Sequence, residues 1–436
     1  MINTEDIIVA CSSPPGSGAI SCIRVSGKNC AKLFKTISGK KMNHKEVNVC
    51  EIQLGHGLTE KCVLTSFISP NSYTGEDVIE ISCHGNPLIV ELIISKLNSL
   101  GCRNAEPGEF TMRSYLNEKV SLIEAETIAD LISAESYEKL KIINKSLSGE
   151  YEREINETIL KLKKIRTTIE GEIDFNDQSV DIDIISIKSE LKDFNAFFRD
   201  FINKIEAAVL LNEGVKVVIT GPENAGKSTL MNVLTKENVS IVSEIPGTTR
   251  DLLSKSVKIE GFIFDFVDTA GLSDKQHGKI EKIGIDKAKE ALDKANIIIE
   301  LIDPENMDYK AQYPKGSKVL KAINKLDLFE GSKEDKLCIS AKYNKNISVL
   351  KDSIVSAAFT SKNQTLEGFS ARTRHLELIN KCYIETVAAE ELCSEDSVEL
   401  SAEHLKSASN FLGQIMSPYS SDDLLGEIFS TFCIGK

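Results

Sequence analysis

The loop Gly221-Pro222-Glu223-Asn224-Ala225-Gly226-Lys227-Ser228, directly after the apolar run Val215–Thr220, constrains this chain more than any other feature. A GxxxxGK[ST] loop after a strand and at the start of a helix turns backbone N–H groups toward a phosphate. Four further elements follow in order: Thr248-Thr249, Asp268-Thr269-Ala270-Gly271, Asn324-Lys325-Leu326-Asp327 and Ser340-Ala341-Lys342. One such element alone is a weak match. The ordered set, each member beside a strand-like run, predicts a Ras-like α/β domain that binds GTP.

Each motif has a chemical task. Backbone donors of the Gly221–Gly226 loop suit phosphate, Lys227 adds a cation for the β- and γ-phosphates, and the Ser228 hydroxyl can ligate Mg²⁺. Thr249 is the candidate second Mg²⁺ ligand, and Asp268, closing the strand-like Phe262–Val267, is expected to hold the metal through water. Gly271 offers an N–H to the γ-phosphate. Asn324 and Asp327 form the expected guanine reader, because a carboxylate accepts two N–H bonds that adenine cannot offer. The expected GTP contacts are Asn224, Ala225, Gly226, Lys227, Ser228 and Thr229; Ser243, Glu244, Ile245, Pro246, Gly247, Thr248 and Thr249; Asp268, Thr269, Ala270 and Gly271; Asn324, Lys325 and Asp327; and Ser340, Ala341 and Lys342.

The catalytic machinery is less standard. Leu272 follows the DxxG motif where Ras-like proteins carry the Gln that orients water, and an apolar side chain cannot do this. Glu281 is the candidate replacement; its spacing equally fits a solvated residue at a helix start. No arginine finger is identified in cis, so a monovalent cation or a second subunit would supply the missing positive charge.

At 436 residues the chain exceeds a single core, and two or three domains are expected. A net charge of −13 argues against a protein that wraps nucleic acid by its own field, while leaving room for a local basic patch. No apolar run approaches a membrane span and the start lacks a signal-peptide pattern, so a cytoplasmic protein is expected. The eleven cysteines are scattered, without a CxxC pair or zinc spacing, and are read as mostly reduced.

The texture changes along the sequence. Residues 1–117 carry short strand-like runs such as Ala19–Val25 and Val78–Cys83, broken by Pro and Gly, and predict an α+β module. Over 118–213 Gly and Pro nearly vanish: Ser121-Leu122-Ile123-Glu124 resembles a capping box, and Ile155, Ile159, Leu162, Ile165 and Ile169 make one helical stripe. Helical texture returns over 366–436, where Leu424, Leu425, Ile428, Phe429 and Phe432 share a face and Asp422 and Asp423 suit a helix N-terminus. The GTP-binding segment, 214–365, interrupts the two. One helical domain split by an inserted cassette is expected; two separate helical domains fit the same pattern. The fold class is therefore multidomain, α+β then α/β.

Taken together these residues resemble the MnmE (TrmE) family of tRNA-modification GTPases, essentially end to end. The most specific part is Ser421–Phe429 through Cys433-Ile434-Gly435-Lys436, similar to that family's terminal CxGK signature; Tyr73–Glu80, Pro107–Phe110 and Ser243–Asp251 match as well. The resemblance implies a homodimer whose amino-terminal module binds a folate, 5-formyl- or methylene-tetrahydrofolate, and a G domain with K⁺-dependent GTP hydrolysis. It further implies a heterotetramer with a FAD- and NADH-dependent partner of the MnmG (GidA) type, acting on C5 of the wobble uridine of certain tRNAs. By resemblance Asn224, Ser243, Ile245 and Thr248 ligate K⁺, Glu281 is the catalytic carboxylate, and Arg24, Glu80, Lys119 and Lys436 line the folate site.

Read from the residues alone, Arg24 and Glu80 fit a surface salt bridge as well as a ligand site, and Lys436 fits a frayed tail. Cys433 has no base placed to activate it and is taken as lining the site. Two departures stand out. Pro222-Glu223-Asn224 puts a carboxylate where the family usually has Pro immediately before the Asn, which is expected to weaken GTP affinity. Leu272–Ile280 is a residue longer than the usual pattern, so placing Glu281 depends on anchoring to Ile283-Gly284. The competing readings are a ribosome-assembly or signalling GTPase that acts as a binding switch, and a folate-dependent one-carbon enzyme that uses GTP only for regulation.

Overall fold

The computed structural model describes residues 5–55, 57–134, 136–175, 183–236, 254–268, 288–328, 337–359, 368–394, 397–417, 422–430, 432, 434 and 435. They form two compact units, residues 1–132 with 413–436, and residues 133–412.

The first unit is built on a six-stranded sheet in the order β3-β4-β5-β2-β1-β6. Its strands are β1 (Ile7–Cys11), β2 (Ile20–Ser26), β3 (Glu46–Gly55), β4 (Leu58–Phe67), β5 (Val78–His84) and β6 (Cys102–Asn104). All pairings are antiparallel except β1 with β6. Alternation in Ile20–Ser26 sends Ile23 and Val25 to one face and Cys22 and Arg24 to the other. The first face packs on α1 (Cys30–Ser38) and α2 (Pro87–Ser99) through Phe34, Ile93 and Leu97. Helix α2 starts where its sequence says it should: the Asn86 side chain accepts from Leu88 N at 2.9 Å, and Pro87 occupies the first turn.

Two short helices, α3 (Glu109–Leu116) and α4 (Leu122–Ile132), complete this unit together with α12 (Asp422–Ser430) near the end of the chain. The Ser121 hydroxyl accepts from Glu124 N at 3.1 Å, as the capping sequence predicts. Ile428, Phe429 and Phe432 bury against Met112, Leu122 and Ala125. The apolar face of the last helix is thus spent on the amino-terminal unit. Sequence periodicity identified that face but could not identify what it packs on.

In the second unit, α5 (Tyr137–Leu147), α6 (Glu150–Phe175) and α7 (Ile184–Glu213) precede the nucleotide cassette. Helix α10 (Thr373–Glu391) and most of α11 (Val398–Met416) follow it. Among the described residues the buried positions of α6 are Tyr151, Ile155, Thr158, Leu162, Ile165 and Ile169. Those of α7 include Ile187, Leu191, Phe194, Phe198, Phe201, Ile205, Ala208 and Asn212. Both step by alternate fours and threes, the spacing of helices packing in heptad register. The expected stripe is corrected at one position: Thr158 is buried and Ile159 only half-buried. Thr158 tolerates burial because its hydroxyl donates to Glu154 O at 2.8 Å.

Helices from before and after the cassette bond to each other. Asn195 Nδ2 donates to Glu390 Oε2 at 2.7 Å, Asn212 Nδ2 donates to Ala371 O at 3.2 Å, and Thr373 donates twice to the Glu213 carboxylate at 2.7 Å. Helix α7 ends at Gly214 and leads directly into β7.

The cassette sheet has the order β12-β11-β10-β7-β9-β8. Its members are β7 (Val215–Thr220), β8 (Ser254–Ile259), β9 (Phe262–Asp268), β10 (Ile297–Ile302), β11 (Val319–Ile323) and β12 (Leu337–Cys338), parallel except for the β8–β9 hairpin. The run Ile297–Ile302 is buried throughout, as a central parallel strand must be. Helices α8 (Lys227–Lys236) and α9 (Ile347–Ala358) cover one face through Leu230, Leu234, Leu350 and Ile354. The chain runs to β8 and β9 on one side of β7 and to β10, β11 and β12 on the other. The loop after β7 therefore opens at the topological switch point, where doubly wound sheets bind ligands.

Candidate functional site

At that switch point the Gly221–Ser228 loop joins β7 to α8. The Lys227 ammonium donates to Gly221 O at 2.9 Å and Pro222 O at 2.8 Å, folding the cation back over its own loop. Asn224 takes a left-handed φ of 62° and stays exposed with Ser228 and Thr229, while Ala225 is buried. Gly226 has φ 92°, and a Cβ there would meet Asn324 Nδ2 at 2.3 Å. Only glycine permits that approach.

The approach matters because Asn324 ties three segments together. Its Nδ2 donates to Ala225 O at 2.8 Å, its Oδ1 accepts from Ala341 N at 2.9 Å, and its backbone N donates to Ile302 O at 2.8 Å. Asn324 is buried. Its side chain therefore braces the phosphate loop against the Ser340–Lys342 turn, with Asp327 three residues on. That carboxylate is exposed and accepts from the Ser340 hydroxyl at 2.8 Å. The Ser340 bond, aided by the charges of Lys342 and Lys345, lowers its pKa from the usual carboxylate value. An ionised acceptor near neutral pH is what two guanine N–H donors require.

Lys325 lies between them with φ 58°, and its ammonium meets Asp303 Oδ2 at 2.7 Å. Asp303 was missed in the sequence reading. Its signal was an acidic residue directly after the strand-like run Ile297–Ile302, whose strand pairs with the one that Asn324 follows. Lys342 is exposed and lies 5.2 Å from the Tyr343 ring centroid. Asp268 ends β9 one strand over from the loop. The expected positions Ser243, Glu244, Ile245, Pro246, Gly247, Thr248, Thr249, Thr269, Ala270, Gly271 and Glu281 lie outside the described residues.

The first unit holds a second cluster. Register pairs Ala10, Arg24, Glu80 and Thr65 across four strands. Arg24 forms a 2.8 Å ion pair with Glu80, both partly buried, and its guanidinium lies 5.1 Å from the Tyr73 ring and 5.9 Å from the Phe110 ring. Lys119 is exposed, with its stem beside Gly75 of the Tyr73–Glu80 segment. Gly435 O accepts from the Ser12 hydroxyl at 3.0 Å, and a Cβ on Gly435 would stand 2.4 Å from Cys11 O. The penultimate residue is thus docked at the end of β1, one register step from the Ala10–Arg24 pair. Lys436 and Cys433 themselves lie outside the described residues.

In the same unit, the fully buried Arg113 ties together two of the segments that resemble the family. It bonds Asp6 at 2.6 Å, Glu109 at 2.9 Å and Glu76 at 3.2 Å. Glu76 belongs to Tyr73–Glu80 and Glu109 to Pro107–Phe110. These two carboxylates serve the scaffold.

Family models describe the same two regions. The chain matches the GTP-binding protein TrmE N-terminus over residues 7–119 and the MnmE helical domain over residues 122–433. It is 35% identical to a protein of Nitrosomonas eutropha named tRNA modification GTPase MnmE, over 100% of both chains. A Francisella philomiragia protein of the same name is also 35% identical, covering 99% of this chain and 100% of its own. This chain belongs to the MnmE family. Among solved structures, the G domain of the T. maritima FeoB iron transporter covers 33% of this chain and 99% of its own at 24% identity, with a TM-score of 0.23. A score that low adds nothing to the MnmE assignment.

Proposed function

We propose that this MnmE-family protein hydrolyses GTP and uses that cycle in tRNA modification. The observation that carries the GTP part is Asn324, which fastens the phosphate loop to the Ser340–Lys342 turn while Asp327 stays ionised beside it. The tRNA part rests on full-length similarity to proteins named tRNA modification GTPase.

The finer assignments follow. Ser228 and Thr249 would ligate Mg²⁺, with Asp268 holding it through water. Asn224, Ser243, Ile245 and Thr248 would ligate K⁺, whose charge replaces a missing arginine finger. The exposed, left-handed Asn224 suits a donor turned out of the loop. Glu281 would orient the attacking water. Arg24, Glu80, Lys119 and Lys436 would line a folate site. The fit is chemical: a half-buried ion pair beside aromatic rings presents both a cation and a carboxylate to a flat heterocycle bearing a carboxylated tail. The docked Gly435 supports a role for Lys436, because it removes the free-tail alternative for the residue before it.

A homodimer is supported by the outer face of the first sheet, where Val47, Val49, Val63 and Ile20 are exposed beside the Arg24–Glu80 pair. The FAD- and NADH-dependent partner would complete the heterotetramer that acts on the wobble uridine. Among the described residues no helix is long and apolar enough to cross a membrane.

Mass spectrometry of tRNA nucleosides from cells with and without the gene tests the proposal. Loss of the C5-substituted wobble uridine in its absence is expected. An unchanged profile alongside intact GTP turnover would overturn the tRNA role and favour the ribosome-linked switch.

A further inference from the structure

We infer that Asp303 is a positioning residue of the nucleotide site: it holds the Lys325 ammonium away from Asp327, so that the Asp327 carboxylate stays available to a guanine base. The inference rests on the GTP-site reading above and adds a specificity device to it.

The argument starts from competing charges. Lys325 and Asp327 are two residues apart, just beyond β11. Asp327 is exposed and already drawn toward cations, since Lys342 and Lys345 act on it through space. A flexible lysine stem beside such a carboxylate would pair with it and occupy the acceptor the base needs. Instead the Lys325 ammonium sits 2.7 Å from Asp303 Oδ2.

Asp303 is built to win that competition. It is 1% exposed, so its attraction for a cation is less screened than that of the exposed Asp327. Its other oxygen, Oδ1, accepts from Asn306 N at 3.1 Å and Asn306 Nδ2 at 2.7 Å, capping the 3-10 turn Pro304–Asn306. Those bonds lock the carboxylate with Oδ2 facing Lys325. Burial works to raise the pKa of Asp303, but the bonds from Lys325 and Asn306 outweigh it and keep the value below the ordinary one.

The backbone is consistent. Lys325 takes φ 58°, a left-handed conformation unfavourable for a side chain with a Cβ. The turn it makes sends the Asn324 side chain inward to Ala225 and brings Asp327 out beside Ser340. The Asp303 contact stabilises that turn from the adjacent strand, since β10 and β11 pair in parallel up to Ile302 and Ile323.

The test is equilibrium binding of fluorescent GDP and IDP to the full-length protein. IDP lacks the exocyclic amine, so Asp327 can offer it one bond where it offers GDP two. Asp303→Asn is expected to weaken GDP binding about tenfold, and IDP binding less, narrowing the GDP/IDP ratio. In a Lys325→Met background, Asp303→Asn is expected to cause no further loss. An equal loss for both nucleotides, no loss at all, or full additivity in the double variant overturns the inference. Failure of the wild-type protein to bind GDP would instead overturn the GTP-site reading. Apo melting temperatures within experimental scatter of wild type identify the loss as local; a large drop accompanied by an unchanged ratio assigns Asp303 to folding and counts against the inference.

Discussion

The nucleotide site and the Arg24–Glu80 site differ in how their parts are spread along the chain. The phosphate loop is a contiguous segment, and its brace Asn324 lies with Asp327 in one short motif. Arg24, Glu80, Lys119 and Gly435 come from four distant stretches, and sheet register and a docked tail bring the first, second and last of them into neighbouring rows. A site made of backbone donors must keep its residues consecutive, because the loop conformation is itself the binding group. A site made of side chains on a sheet needs only the right strands side by side. Local motifs therefore expose the first kind of site and hide the second.

The largest effect that would sharpen this contrast is expected at Glu281. Glu281→Ala should lower GTP turnover at least about a hundredfold while leaving nucleotide affinity intact. Unchanged turnover would return that residue to a solvated helix start.

Next comes Arg113→Met, which removes the buried cation shared by Asp6, Glu76 and Glu109, leaves Arg103 to the first and last of them, and should destabilise the first unit by about 3 kcal/mol. Urea unfolding measures this, and GDP affinity should survive, because the nucleotide site shares none of these contacts. The same network predicts acid sensitivity. Burial pushes Asp6 and Glu109 upward, but bonds from Arg103 and Arg113 outweigh it and hold both below their ordinary values. A carboxyl depressed in the folded state contributes stability above its unfolded pKa and loses it as pH falls through the folded one. The first unit should therefore weaken below about pH 4, and a flat profile there would contradict the network's role.

Asp327→Asn should weaken GTP binding about tenfold to a hundredfold and leave folate binding unchanged. A matching loss of folate affinity would mean that the two sites are not independent in the way their construction suggests.

Smaller effects are expected in the side-chain site. Gly435→Ala forces a methyl group against Cys11 O, so folate affinity should fall about threefold to tenfold with GTP turnover kept. Arg24→Ala provides the reference for complete loss of the guanidinium. The smallest effect is the cation preference: hydrolysis should run a few-fold faster in KCl than in NaCl, and equal rates would remove the proposed K⁺ site at Asn224.

Much of the fold was legible because it follows from periodicity. The strand-like runs Ala19–Val25, Val78–Cys83, Val215–Thr220 and Phe262–Val267 are strands, with ends shifted by at most one residue. The α6 stripe was legible except at Thr158, where a local hydroxyl-to-carbonyl bond made burial of a polar residue inexpensive. In the nucleotide cassette the loop, Asn324 and Asp327 were legible as motifs, but the bonds of the Asn324 amide were not, because its partners come from residues 225 and 341.

The sequence by itself determined that a phosphate-loop motif lies between a strand and a helix, and that an apolar face runs along the last helix. Each of these follows from residue types at fixed local spacing. Only the tertiary structure decided that Asn324 is a brace, that Arg113 joins Glu76 to Glu109, that Asp303 restrains Lys325, and that Gly435 docks on β1. Those are contacts between residues far apart in the chain. Their energies depend on burial and geometry, which local spacing does not encode.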